Sequence, residues 1–234
     1  IHVPVIGGLS VLFSGWALAL KMWLSGALNQ PTIIYSRSVN IAFAFYALKK
    51  SVARNKPITI VFEVHSLDQQ TPKKYFHTLL RNADALVCIS HALKTALIEK
   101  MGSPPEKICV APDGVKKSFL ATENNKQNAR ETLGLPDKRI VLYTGQLLPG
   151  KGAHVFVDAA QHFGDDVMFL LVGGHGDYLR RMQTHINENN ILNVTVTGFV
   201  SPALIPLYQA AADVLVLPAT ADHDISAYTS PLKL

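Results

Sequence analysis

The chain has 234 residues, of which 48% are hydrophobic and 17% are charged. That composition excludes an intrinsically disordered chain, and the length allows one large domain or two smaller ones. The net charge of +5 suits an anionic partner but also an ordinary, slightly basic protein, and the lack of like-charge blocks argues against nucleic acid.

The first long apolar run extends from Leu9 to Leu28 and is interrupted by the charged residue Lys21. A lysine near the bilayer centre costs roughly 2.5–3.5 kcal/mol on insertion scales. No basic region precedes the run, as one would in a signal peptide. We therefore predict a buried or interfacial helix of the first domain. The alternative is a spanning helix, which would make the chain a membrane-anchored structural protein.

After this run, short apolar segments alternate with helical patterns to the end of the chain. Strands are predicted at 32–37, 58–65, 85–90, 108–111, 140–144, 167–172, 194–197 and 213–217. Helices are predicted at 39–53, 71–83, 91–101, 154–163, 178–188 and 201–212. Thr71 and Pro72 are typical of a helix start, and Gly102 is typical of a helix end.

A polar stretch at 113–138 has little apolar periodicity and separates two such blocks. We place a domain boundary near Ser118, giving domains at 1–118 and 119–234. Near-continuous apolar strands separated by helices indicate doubly wound α/β domains whose parallel sheets are covered on both faces. Ligands bind at the carboxyl ends of the strands in such domains.

The two cysteines, Cys88 and Cys109, both lie in predicted strands. Their spacing does not fit a metal site. We interpret both as small core residues of a protein in a reducing compartment, with a disulfide as the alternative.

One candidate functional residue, His65, ends the second predicted strand, and Glu63 shares its face. A histidine there can transfer a proton or hydrogen-bond a sugar hydroxyl. Two residues along a strand are about 7 Å apart, so contact between the two side chains is left open. A histidine that merely caps the strand is the alternative.

Three further strand ends carry glycines. The loop 145–152 (GQLLPGKG) lets backbone N–H groups approach an anion beside the charge of Lys151, but lacks the P-loop pattern. Gly173 permits close approach of a ligand, although the dinucleotide fingerprint is absent. Phe199, which follows Gly198, fits either stacking on a base or a place in the core.

From residue 32 onward the chain resembles the retaining glycosyltransferases of family 4. The resemblance is carried by VFEVHSL, NADALVCISHALKTAL, KICVAPDGVKKSF, IVLYTGQLLPGKG, VTVTGFVSPALIPLYQAAADVLVLP and YTSPLKL, in this order. It implies a GT-B fold of two Rossmann-like domains facing across a cleft. The donor nucleotide would bind the C-terminal domain and the acceptor the N-terminal one.

The resemblance also implies roles for individual residues. His65 would lie beside the transferred sugar, and Lys151 would hold the donor diphosphate. Further donor contacts would come from Gly145, Gln146, Gly173, Gly198, Phe199, Val200, Ser230, Pro231 and Leu232. The family needs no metal or other cofactor in this role, so none is expected.

The sequence departs from the family at two functional positions. Gln146 stands where an arginine is usual, and Tyr228 stands where the first of two glutamates is usual. The second glutamate would fall two residues beyond Leu234, and the family's first strand and glycine-rich loop would precede Ile1. The chain is therefore interpreted as a fragment truncated at both ends, with both domains incomplete.

These observations favour a sugar transferase that uses a nucleotide-diphosphate sugar and a sugar or lipid-linked acceptor, in cell-surface polysaccharide or glycolipid synthesis. The expected location is the cytoplasm, with peripheral contact at the inner face of the membrane left open. The alternatives are a catalytically inactive binding module of the same fold and a sugar-nucleotide epimerase.

Overall fold

The computed structural model describes residues 7–67, 73–115 and 125–220, with side chains from Phe13 onward. In these residues the chain forms two compact units, the first ending at Pro112 and the second beginning at Asp113. The predicted boundary near Ser118 and the predicted helix start at Thr71 and Pro72 lie outside the described residues.

Unit 1 is a four-stranded parallel sheet with helices between its strands. Its strands pair in the order β1-β2-β3-β4. In chain order the elements are α1 (Gly7–Leu24), β1 (Thr32–Ser36), α2 (Val39–Lys50), β2 (Ile58–Val64), α3 (Lys73–Asn82), β3 (Ala85–Cys88), α4 (His91–Glu99) and β4 (Ile108–Val110). Short 3-10 turns occupy Ala27–Asn29 and Pro105–Lys107.

The sheet of unit 1 is covered on one face within the described residues. Along β2, buried Ile58, Ile60, Phe62 and Val64 alternate with more exposed positions. The buried face packs against α2, α3 and α4 in one apolar cluster. On the other face, Ile33 and Tyr35 of β1 are mostly exposed. The predicted coverage of both faces is therefore not seen in this unit.

Helix α1 is buried along one side only. Ala19 is fully buried, and a Cβ added to Gly15 would lie 3.0 Å from the backbone oxygen of Asn40 in α2, so the two helices pack closely there. The opposite side exposes Phe13, Trp16, Leu20 and Leu24. No helix among the described residues is both long enough and apolar enough to cross a membrane.

Unit 2 has a second four-stranded parallel sheet, ordered β7-β6-β5-β8. In chain order its elements are α5 (Lys126–Leu133), β5 (Arg139–Thr144), α6 (Ala153–Ala160), β6 (Val167–Val172), α7 (Gly176–Glu188), β7 (Val194–Gly198), α8 (Ile205–Ala211) and β8 (Val214–Leu215). A 3-10 turn at Pro202–Leu204 precedes α8, and the Ser201 hydroxyl accepts a hydrogen bond from the Ala203 amide.

Both faces of this second sheet are covered, as predicted. Tyr143, Phe169 and Leu171 pack against α6 and α7 on one face. Ile140 and Leu142 pack with residues of α8 on the other. The doubly wound α/β fold class is thus confirmed, and the carboxyl ends of β5, β6 and β7 come together at one edge.

Helix α5 was not predicted, because its sequence KQNARETL is polar on most of its surface. Asn125 caps it by accepting a hydrogen bond from the Gln127 amide at 2.9 Å. Its inner side buries Arg130 rather than an apolar stripe, which explains why hydrophobic periodicity missed it.

Arg130, which is buried, and Asp213, which is partly exposed, form a polar link inside unit 2. An Arg130 guanidinium nitrogen lies 2.6 Å from Asp213 Oδ2, and the Ile140 amide donates to the same oxygen at 2.7 Å. Lys126 Nζ donates to Asp213 Oδ1 at 2.7 Å. Burial alone would raise the pKa of Asp213, but the hydrogen bonds from Lys126 and the Ile140 amide and the charges of Arg130 and Lys126 lower it to about 2.

The two cysteines are both free thiols. Cys88 is buried in the core as predicted, whereas the prediction for Cys109 is wrong, because its side chain is exposed. Cys109 lies on the uncovered face of the unit 1 sheet, since the burial of β4 alternates from Ile108 onward.

Candidate functional site

A cavity of about 470 Å³ lies at the edge of unit 2 where β5, β6 and β7 end. Five of the predicted donor-binding positions line it, namely Gly145, Gln146, Gly173, Phe199 and Val200. Its volume falls within the range of small-molecule sites, which are usually mostly apolar with a few polar groups. The parallel strands place these residues together because their carboxyl ends share one edge.

The glycines at this edge pack backbone against backbone. A Cβ added to Gly173 would overlap the carbonyl oxygen of Gly145, and one added to Gly174 would overlap the side chain of Leu147. The φ angle of Gly173 is 123°, which further favours glycine. Gly173 is therefore required for the packing of the two loops, a reason that the sequence did not reveal.

Two amides of the loop 145–152, which is predicted to approach an anion, and the amide of Gly173 already donate hydrogen bonds within unit 2. The Gly145 amide donates to Val172 at 2.9 Å and the Lys151 amide donates to the Leu148 carbonyl at 3.1 Å. The amide of Gly173 donates to the Gly198 carbonyl at 2.9 Å. The expectation that amides of the loop 145–152 approach an anion is therefore not met at Gly145 and Lys151, and it stays a prediction for the rest of the loop.

The loop 145–152 is anchored from below by Tyr143. This side chain is buried in the core, and its hydroxyl donates to the backbone carbonyl of Gln146 at 2.8 Å. Burial raises the pKa of Tyr143 to about 12. The hydroxyl therefore stays protonated at neutral pH and remains a donor.

The far end of the same loop is held by a second close backbone contact. Gly152 adopts a φ of 73°, and a Cβ added there would overlap the carbonyl of Pro218. Lys151, next to it, is half-buried and does not line the cavity. Its side chain makes no hydrogen bond or ion pair with any of the described residues.

The wall of the cavity formed by α8 and the residues after β7 is mostly apolar. Phe199 is 74% exposed and therefore belongs to the surface rather than the core. Sequence reasoning missed Ile205 and Gln209, which lie one turn apart on α8 and both line the cavity. Their spacing was visible, but helical residues distant from a strand end gave no functional signal.

The remaining predicted residues take different places. Gly198 ends β7 and pairs with Gly173 through an isolated bridge, behind the cavity lining. Ser230, Pro231 and Leu232, with Tyr228, lie outside the described residues. His175, which the glycine pattern of this loop also contains, is exposed and lines the cavity.

His65 belongs to unit 1, directly after β2, and contacts Glu63 through its Nε2 atom. The two residues are about 7 Å apart along the strand, but their side chains reach far enough to make this contact. Burial alone would raise the pKa of Glu63, but hydrogen bonds from Tyr35 and His65 and the charges of His65 and Arg37 outweigh it and hold this pKa below its ordinary value. The carboxylate therefore stays ionised at neutral pH and fixes the orientation of the imidazole.

Comparison with known proteins identifies relatives for both units. Alpha-D-kanosaminyltransferase of Streptomyces kanamyceticus is 26% identical over 76% of this chain and 50% of its own length. The GDP-mannose-dependent alpha-(1-6)-phosphatidylinositol monomannoside mannosyltransferase of Mycolicibacterium smegmatis is 25% identical over 58% of this chain and 37% of its own length. The chain thus spans about half the length of the curated relatives it matches, or less.

Solved structures show the same fold. Anabaena HepE in complex with UDP superposes with a TM-score of 0.72 at 22% identity, covering 88% of this chain and 57% of HepE. The sequence profile of glycosyl transferases group 1 matches residues 125–223. The profile of glycosyltransferase family 4 matches residues 2–119, which is half of the chain. The chain therefore belongs to glycosyltransferase family 4 and has the GT-B type of fold.

Proposed function

We propose that unit 2 binds the nucleotide of a nucleotide-diphosphate sugar in the 470 Å³ cavity, and that the complete protein transfers the sugar with retention of configuration. The observation that carries the proposal is the cavity itself, where glycine loops and the exposed ring of Phe199 meet at the strand ends. Lys151 lies outside the lining but belongs to the loop 145–152, which enters the lining at Gly145 and Gln146. An aromatic ring suits a base, and a lysine suits a diphosphate.

The hydrogen bonds made by the loop 145–152 indicate which of its groups are left to bind the diphosphate. Because the amides of Gly145 and Lys151 are paired internally, the Lys151 side chain is expected to supply part of the stabilisation of the diphosphate. A retaining transfer depends on stabilising the charge that develops on the leaving diphosphate. Gln146 contributes a polar group but no charge there, so Lys151 is expected to matter more than in relatives with an arginine.

We further propose that His65, held by Glu63, hydrogen-bonds a hydroxyl of the transferred sugar. A sugar or lipid-linked acceptor is supported by the phosphatidylinositol mannosyltransferase among the relatives. In the complete protein, His65→Ala should lower kcat by about 10²-fold or more, the size expected of a positioned proton-transferring group. A variant that loses activity only in proportion to its loss of folded protein would contradict this role.

The nucleotide site can be tested by calorimetry with UDP, the ligand present in HepE. Lys151→Ala should weaken binding by about 1.5–3 kcal/mol, the value of a hydrogen bond to a charged group. Lys138→Ala is the matched control, because Lys138 is exposed and precedes β5, at the opposite end of that strand. Equal affinities for the wild type and Lys151→Ala would reject the assignment.

Transfer and simple binding are separated by a second measurement. A catalytically inactive module would bind the nucleotide but show no turnover of nucleotide sugar with any acceptor. The departure at Gln146 motivates this comparison, and Gln146→Arg should tighten nucleotide binding if that position faces the diphosphate. Weaker or unchanged binding in that variant would place the diphosphate elsewhere.

A further inference from the structure

A second cavity, of about 320 Å³, lies in unit 2 between residues 147–150 and helices α6 and α7. We call it the α6–α7 pocket. It has no lining residue in common with the 470 Å³ cavity. No local sequence pattern indicates this pocket, because its lining comes from three separate segments.

The inner part of the α6–α7 pocket is apolar. Leu147 and Met182 line it and are buried, whereas Leu148 and Tyr178 line it nearer the solvent and are about 40% exposed. Apolar surface that is already assembled and partly exposed favours binding of an apolar or aromatic group.

The rim of the pocket carries uncompensated basic residues. Arg181 and His154 are exposed and make no hydrogen bond or ion pair with any described residue. Their neighbour Arg180, by contrast, pairs with Asp177. No acidic residue is among the described residues that line the pocket.

The other histidine of the pocket, His185, is not available as a donor. Its Nε2 atom lies 2.6 Å from Asp158 Oδ1, and the Asn189 side-chain amide lies 3.3 Å from its Nδ1. Both ring nitrogens are therefore engaged, and the Asp158 carboxylate is taken up by this contact. Arg181 is left as the permanent charge that faces the pocket.

We propose that the α6–α7 pocket binds a small organic anion, with an apolar or aromatic body against Leu147 and Met182 and its acid group on Arg181. The volume is near the lower limit for small-molecule sites, which fits one ring system with one acid group and is small for a nucleotide sugar. Phosphate monoesters and carboxylates share the required chemistry, because arginine binds both anions through paired N–H groups. This site does not depend on the proposed nucleotide site.

The test uses 1-naphthyl phosphate as the probe, titrated into the protein with and without UDP. We expect saturable binding, much weaker binding of both 1-naphthol and inorganic phosphate, and no displacement by UDP. 1-Naphthoate in place of the phosphate ester distinguishes the two acid groups. Absence of saturation, or complete displacement by UDP, would overturn the proposal, the latter because the probe would then occupy the nucleotide cavity.

The contribution of Arg181 is measured against its neighbour. Arg181→Gln should weaken binding of 1-naphthyl phosphate at least about tenfold, as expected for loss of a charge-assisted contact. Arg180→Gln changes the net charge equally but lies outside the lining, and should change affinity less than about twofold. Circular dichroism confirms folding of both variants. Equal losses in the two variants would show only nonspecific attraction and would reject the site.

Discussion

Replacing Asp213 with asparagine tests the polar link that connects three elements of unit 2. The carboxylate accepts hydrogen bonds from the Arg130 and Lys126 side chains and from the Ile140 amide. It therefore joins α5 and the start of β5 to the residue before β8. Asparagine keeps one acceptor oxygen but loses the charge. Arg130, whose side chain is only 10% exposed, would then lack its main counter-charge.

The size of the effect follows from the titration of the carboxyl. The difference between its ordinary pKa of 3.8 and the folded value of about 2 corresponds to about 2 kcal/mol. Removing one partner of a fully buried pair costs about 3–5 kcal/mol, but Asp213 is 31% exposed and water can replace part of the interaction. We therefore expect Asp213→Asn to lower the free energy of unfolding by about 1–2 kcal/mol at pH 7, less than the undiscounted value.

The assay is urea denaturation of the wild type and of Asp213→Asn as a function of pH. The folded carboxyl has the lowered pKa, so its stabilising contribution is complete above about pH 4 and is lost as the pH falls toward about 2. The difference between the two proteins should shrink across that same interval.

Asp137→Asn provides the control for this measurement. Asp137 is the other carboxylate near Arg130, but it is 97% exposed and 3.5 Å away. Its replacement should change stability by less than about 0.5 kcal/mol. Equal losses in the two variants, or a difference that does not vary with pH, would refute the reasoning.

Two further predictions concern backbone packing and the histidine support. Gly152→Ala should destabilise the protein by more than Gly134→Ala. A Cβ at 152 overlaps the Pro218 carbonyl, whereas one at 134 meets no atom within 4 Å at a similar positive φ. Thermal melting measures both variants, and equal shifts of the melting temperature would count against the contact. Tyr35→Phe should raise the pKa of Glu63, because it removes a hydrogen bond to the carboxylate. The carboxyl carbon of Glu63 is titrated by NMR, and the same pKa in the variant and the wild type would contradict this prediction.

Local periodicity was sufficient to predict most of the strands. The run at 167–172 was predicted with the bounds that β6 has, and the predicted end at His65 differs by one residue from the end of β2. In a fully or alternately buried strand, the apolar residues occupy the buried positions. The pattern of apolar residues in a single sequence therefore indicates where the strand lies.

Contacts between distant segments could not be predicted in the same way. Arg130 and Asp213 are separated by 83 positions, and nothing in either local sequence indicates the other. The overlap that forbids a side chain at Gly152 likewise depends on Pro218, which follows another strand. Glycine and charge were visible at these positions, but their partners are determined by the order of strands in the sheet.

The position of some strand-end residues beside a cavity could be predicted from the sequence, but the hydrogen bonds of their backbone amides could not. The strand-end rule placed Gly145, Gln146 and Gly173 beside one cavity, as the structure shows. The rule could not show that two of these glycines use their amides internally, because that depends on the bridge between loops. It also omitted Ile205 and Gln209, whose role follows only from how α8 packs beside the strands.

The buried hydroxyl of Tyr143 has a consequence for experiments on nucleotide affinity. Because its pKa is about 12, the hydrogen bond that anchors Gln146 does not titrate in any ordinary buffer. The resting shape of the loop is therefore constant between about pH 6 and pH 9 at this anchor. A change of affinity across that interval therefore does not arise from titration of this anchor, and its source is the ligand's phosphate or another group of the protein.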